Sequence, residues 1–154
     1  MSVGTVTKYN SLEKYLFDTG GRQWNDAAAG NIMFCLCGNG YTPAATHETT
    51  ADLADLISSG DGAPIPATGL AIDNTTTPGT TYYDSDDANF GTAVTITAKY
   101  MVCVQPVTPG TFSATTGKII FVIDLNMADS SATVSATGSD FVVYAPANGW
   151  FKTV

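Results

Sequence analysis

The chain has 154 residues, of which 44% are hydrophobic and 13% charged, about half the charged share of roughly 25% in an average globular protein. Fourteen acids against six bases give a net charge of −8, which repels phosphate backbones and anionic bilayers, and six scattered bases cannot form the cationic stripe that nucleic-acid binding needs. No run approaches the roughly 20 apolar residues of a membrane-spanning helix, and the opening MSVGTVTKYNSL lacks a signal peptide's basic start and apolar stretch, so a chain made and used in the cytoplasm is expected.

A chain of this length is expected to form one domain, residues 1–154, with residues 1–8 as an extended N-terminal arm. Abundant Thr, Val and Ile favour strands, because β-branched side chains suit a pleated, half-buried surface. The one helix predicted with clear periodicity covers 8–17, KYNSLEKYLF. Asn10 or Ser11 caps it, Tyr9, Leu12 and Leu16 share a face, and Gly20 and Gly21 end it. NIMFCLC (31–37) is predicted as a strand apolar on both faces, with Ile32, Phe34 and Leu36 on one and Met33, Cys35 and Cys37 on the other. Such a strand is central, or is covered on its second face by another element, for which the N-terminal helix is the candidate.

From Gly38 to about Pro66 the chain is polar and rich in turns. Thr49 and Asp52 have capping-box spacing before ADLADLI, which predicts one helical turn or a short helix. ATGLAID (67–73) is predicted as a strand and NTTTPGTTYYDSDDANFG as a long connection. AVTITAKYMVCVQ (93–105) is predicted as one strand, with Val94, Ile96, Ala98, Tyr100, Val102 and Val104 on a single face. KIIFVIDLN (118–126) alternates Ile119, Phe121, Ile123 and Leu125 against Lys118, Ile120 and Val122. These two runs are expected to pair antiparallel, since a 12-residue polar link holds no crossover helix. SDFVVYAP and GWFKTV supply two short C-terminal strands. The fold class expected is mainly β: an antiparallel β-sandwich or partly closed, jelly-roll-like barrel with one short N-terminal helix.

The search for chemistry along the chain predicts no catalytic, cofactor or metal residues. HETTA begins like the zinc-protease motif H-E-x-x-H, but Ala51 stands where the second imidazole belongs. Three cysteines, two of them at 35 and 37 on one strand, make a poor disulfide framework, so Cys35, Cys37 and Cys103 are read as reduced, buried and apolar. DSDDANFG offers Asp84, Asp86, Asp87 and Asn89 as calcium ligands, yet Ala88 occupies a ligand position and Thr95 replaces the bidentate Glu. His47 has no nearby nucleophile elbow and reads as a loop surface residue. Trp24, Tyr41, Tyr82, Tyr83, Phe90 and Trp150 could line a sugar-binding face, or form core and subunit contacts.

The order of segments carries a resemblance. Tyr9-Asn10 in a short helix, then Tyr41-Thr42-Pro43, Thr46-His47, Ile96 to Tyr100 and the closing Gly149-Trp150-Phe151 are similar to a family of small tailed-bacteriophage virion proteins, the head decoration or cement proteins. The sequence departs from that pattern at 60–69, where GDGAPIPATGL stands in place of a G-Y-T-x-G-G segment. The resemblance implies a non-enzymatic virion protein on the capsid exterior, assembled in a bacterial cytoplasm. It also implies two partners, the major capsid protein and further copies of the chain in a homotrimer, with no cofactor, nucleic acid or membrane. A tail-associated adaptor, tube or fibre component is the alternative, and a carbohydrate-binding module the third reading.

Overall fold

The computed structural model describes residues 6–8, 30–73, 75, 80–126, 129, 131–147 and 149–153. The expected helix at 8–17, with Tyr9-Asn10 and Trp24, lies outside the described residues except for Lys8, which belongs to a strand. Among the described residues the strands are β1 (Val6–Lys8), β2 (Met33–Cys37), β3 (Leu56–Ile57), β4 (Ile65–Pro66), β5 (Ala71–Asp73), β6 (Thr81–Asp84) and β7 (Ala88–Asn89). They continue with β8 (Val94–Ala98), β9 (Tyr100–Gln105), β10 (Lys118–Asp124), β11 (Val134–Ser139), β12 (Val142–Val143) and β13 (Phe151–Thr153). The fold is mainly β, all pairings are antiparallel, and among the described residues no sheet closes into a barrel.

The main sheet runs β1-β10-β9-β2-β3, with β4 beside β3 on the same edge of β2. Residues 6–8, placed by sequence in an extended arm, pair with 121–123 and form its opposite edge. The doubly apolar 31–37 run becomes a central strand, flanked by β9 on one side and by β3 and β4 on the other. All five residues of β2 are buried. One face presents Phe34 and Leu36 to the larger core, and the other presents Met33, Cys35 and Cys37 to a smaller core with Tyr41, Leu53, Val102, Val104, Ile119 and Val122. Apolar residues on both faces therefore reflect two separate cores, one on each side of the sheet.

The long strand expected at 93–105 is broken at Lys99, and its halves belong to different layers. β8 pairs with β11, whereas β9 pairs with β10 and β2. Lys99 is the joint: its N–H is donated to Cys37 O (2.8 Å) and its carbonyl accepts Leu125 N–H (2.8 Å). One residue taken out of the ladder reverses the alternation. Val94, Ile96 and Ala98 consequently share the larger core with Met101 and Cys103, while Tyr100, Val102 and Val104 face the smaller one. The single face expected for 94–104 is thus two. A similar irregularity lies in β10, where the register shifts between Ile119 and Phe121. Ile119 enters the smaller core, and Ile120 joins Phe121 and Ile123 in the larger, contrary to strict alternation. The antiparallel pairing of β9 with β10 is as expected.

The second layer covers the larger core. Residues 88–98 and 134–143 form one bent antiparallel ribbon: β7 pairs β12, Phe90 and Phe141 connect across the bend, and β8 pairs β11. A three-stranded sheet β13-β6-β5 stands beside it. Aromatic rings tie the layers together. Trp150 lies 5.5 Å from Phe34, Phe121 lies 5.5 Å from Phe151, and Phe151 stacks on Tyr83 at 4.4 Å. The connection expected at 74–91 holds β6 and β7, and of the strand expected at 67–73 only 71–73 is strand, as β5, with β4 just before it at 65–66. β11 falls in a stretch with no predicted element. ADLADLI forms one 3-10 turn, Thr50–Asp52, followed by β3, because Leu56 and Ile57 gain ladder partners in Cys37 and Leu36.

Candidate functional site

The corner at 41–53 contains the only histidine of the sequence. Tyr41 is 1% exposed, its ring packs edge-on against Tyr100 at 5.7 Å, and its hydroxyl hydrogen-bonds Nδ1 of half-buried His47 at 3.1 Å. His47 is therefore fastened to the smaller core rather than lying free on the surface. The capping box read from Thr49 and Asp52 is formed. Thr49 and Glu48 donate their N–H groups to the Asp52 carboxylate at 2.9 and 3.0 Å, which holds that carboxyl below the usual carboxylate range. Thr50 is buried, donating its hydroxyl to Ser113 O (2.7 Å) and accepting Gly117 N–H (3.0 Å). Each polar group named here is bonded within the corner or to the link at 106–117.

The cysteines are free and buried. Burial, with Asp55 adding to it, pushes the Cys37 thiol up to about 12, and burial raises Cys35 and Cys103 well above the ordinary range. Thiolate is the nucleophilic form, so these sulfurs are unreactive where they stand.

The acidic loop does not converge on a point. Asp84 accepts the N–H of Ser85 (2.8 Å), Asp87 that of Ala145 (2.8 Å), and Asn89 that of Gly91 (2.9 Å). Asp86 turns toward Gly69, where an added Cβ would lie 2.3 Å from its carboxylate. Among the described residues no group of three or more His, Cys, Asp or Glu side chains is placed to share a metal ion. No helix of the described residues is long and apolar enough to cross a membrane.

Most of the aromatics considered for sugar binding are internal: Trp150, Tyr41, Phe90 and Tyr83 are buried, and Tyr82 is half-buried. The most exposed aromatic among the described residues is Tyr144, at 53%, which sequence reasoning did not single out. It borders a shallow groove of about 460 Å³ along the outer side of 134–144, shared with Ser135, Ser139, Asp140 and Val142. The signal available in the sequence was slight: Val134 and Ala136 alternate with Ser135 and Thr137 in the manner of an edge strand. No protein-family model, curated protein or solved structure matches the chain.

Proposed function

We propose that this chain is a non-enzymatic structural protein of a bacteriophage virion, which decorates the capsid exterior and stabilises it by bridging neighbouring shell subunits. The observation that carries the reading is the use made of the reactive-looking side chains. His47 binds Tyr41, Asp52 closes a capping box, Asp84 and Asp87 hold backbone amides, and the three thiols lie inside the cores. Chemistry needs such groups gathered in a cleft and accessible to a substrate. Here they secure loops over a sheet, as suits a protein whose work is contact. The order of motifs from Tyr41-Thr42-Pro43 to Gly149-Trp150-Phe151 supports the virion assignment. A low share of charged residues and a net charge of −8 suit a densely displayed, soluble module. Its partners on this reading are the major capsid protein and further copies of the chain, as a trimer.

Purified protein mixed with shells that lack it provides the test. Binding at positions of local symmetry, in hundreds of copies per particle, is expected by electron microscopy. Failure to bind such shells refutes the reading, and a few copies at one vertex or along a tail would move the protein to the tail.

A further inference from the structure

The second layer ends in a strand edge that makes no hydrogen bonds among the described residues, and its geometry fixes which groups point outward. Thr95 donates its N–H to Asp61 Oδ2 (2.7 Å), away from β11. In an antiparallel ladder that makes Thr95 and Thr137, which face each other, a pair without mutual hydrogen bonds. The pair two residues on, Thr97 and Ser135, is of the same kind, and its hydroxyls approach to 3.0 Å as the closer spacing of such pairs allows. The backbone N–H and C=O of Ser135 and Thr137 therefore point outward, and among the described residues neither has a hydrogen-bond partner on that side.

Exposed edges of this sort invite another strand, and proteins guard them with Lys, Pro or inward charges. β11, Val-Ser-Ala-Thr-Gly-Ser, has none of these. Its one irregularity, the register shift at Gly138 with φ +63°, lies beyond Thr137 and leaves the Ser135–Thr137 window straight.

We infer that the outer edge of β11 is a strand-pairing surface whose occupant is the same edge of a second copy, related by a two-fold axis through Ala136. In that register Ala136 faces Ala136 of the second copy, and Ser135 faces Thr137 on both sides of the axis. Each Ser135–Thr137 pair exchanges two backbone hydrogen bonds, so the outward groups of both strands are matched at once. Charge restricts where a second copy can approach. Two chains of net charge −8 repel over most orientations, but residues 130–139 are uncharged. The carboxylates that flank this stretch, Asp129 and Asp140, lie outside β11, so none falls within the paired window. Hydroxyls of Ser135 and Thr137, both exposed, meet across the axis. The contact extends the ribbon into a sheet shared by two protomers. A ladder of six residues spans only about 20 Å, at the small end of specific interfaces, so the association is weak and concentration-dependent. This two-fold contact stands apart from the trimer proposed above, which on that reading assembles on the shell, and it is tested without shells.

Sedimentation equilibrium of the purified chain is the test. Between about 10 μM and about 1 mM the weight-average mass is expected to rise from one protomer, 16.0 kDa, toward two. T137K sets two ammonium groups beside the axis and should weaken association at least tenfold, about 1.4 kcal/mol. T116K, the same change on an exposed loop residue, should leave association intact. S135K serves as the second edge variant should T137K fold poorly. In the wild type, exchange of the Ser135 and Thr137 amides should slow as concentration rises, while exchange in the 58–61 loop does not. A mass fixed at one protomer over this range overturns the inference. So does an oligomer that both edge variants leave unchanged, or a three-fold species that they abolish.

Discussion

Trp150 offers the sharpest test of how the two layers are held together. The side chain is 2% exposed, its ring lies 5.5 Å from Phe34 and 6.3 Å from Phe121 of the main sheet, and its Nε1–H is donated to Ser85 Oγ at 2.7 Å. Ser85, itself buried, donates its own hydroxyl to Asp86 O at 2.9 Å. Ser85→Ala leaves the packing of the indole in place but strands a buried donor, which costs about 1–3 kcal/mol. Trp150→Phe removes the donor together with part of the ring, and the void left behind costs about 2 kcal/mol. In the double variant no donor remains to be stranded. Its loss should therefore fall short of the sum of the single losses by about 1–2 kcal/mol. Urea unfolding followed by far-UV circular dichroism is the assay, because the fluorescence of the variants differs for trivial reasons. An unchanged urea slope is required for the comparison. A loss of about 2 kcal/mol lowers the melting temperature of a chain of this size by about 4–8 °C, so the single variants are measurable by heat as well. Losses that add within about 0.3 kcal/mol would refute the coupling and with it the role given to the Ser85–Trp150 hydrogen bond.

Four further outcomes follow from the geometry. The Cys35, Cys37 and Cys103 thiols should resist a disulfide reagent at pH 8 in the native protein and react together once urea unfolds it; rapid native labelling of any of them would contradict their burial. Gly149 and Gly138 both have positive φ, +75° and +63°, but a Cβ at 149 would lie 2.6 Å from Tyr83 O while one at 138 meets nothing within 4 Å. Gly138→Ala should cost about 1–2 kcal/mol and Gly149→Ala distinctly more in urea unfolding, and equal losses would be inconsistent with the close approach at Tyr83. The Asp52 carboxyl titrates lower in the folded chain than in the unfolded one, so its contribution is complete above the unfolded value of about 3.9 and disappears as pH falls through the folded value. Amide resonances of Glu48 and Thr49 should report that transition below about pH 4, and a midpoint at or above 3.9 would reject the assigned hydrogen bonds. His47→Ala should lower stability by about 0.5–1.5 kcal/mol through the lost Tyr41 hydrogen bond, seen as a lower urea midpoint, and an unchanged midpoint would argue against that bond.

Much of the main sheet could be read from the sequence, because strands buried on both sides keep no polar face to confuse the pattern. NIMFCLC stood out for that reason, AVTITAKYMVCVQ and KIIFVIDLN by their alternation, and the pairing of the last two followed from the length and polarity of their link. The face assigned to each residue was less legible. Counting by twos fails after any residue that leaves the ladder, and nothing in AKY marks Lys99 as such a residue until Cys37 and Leu125 are seen to claim its backbone. Part of the second layer was hidden for a different reason. Thr81–Asp84, Ala88–Asn89 and Val134–Ser139 are short, alternate with Thr and Ser, and lie among turn residues, so they read as loop. The duties of the acids were equally illegible. Asp61 caps Thr95 from 34 residues away and Asp87 holds Ala145 from 58, and no local pattern predicts either.

The same physics explains why residues 41–53 resemble a reaction centre without forming one. A sheet that is apolar on both faces needs cover on both, and the second layer serves only the larger core. On the other side Tyr41 and Leu53 lie over Cys35, Cys37 and Val102, and partly buried Phe112 and Tyr100 pack at their margin. A loop laid across a greasy face brings its backbone amides with it, and those must find partners or the cover is not stable. Glu48 and Thr49 find Asp52, Gly117 finds Thr50, and Ile119 reaches the carbonyl of Glu48, which stitches the loop to β10. Carboxylate, hydroxyl and imidazole are the side chains best able to satisfy such groups at a wet margin, and they are also the tools of catalysis. Where each one already holds a partner that belongs to the cover, their presence together is the consequence of sealing a second core.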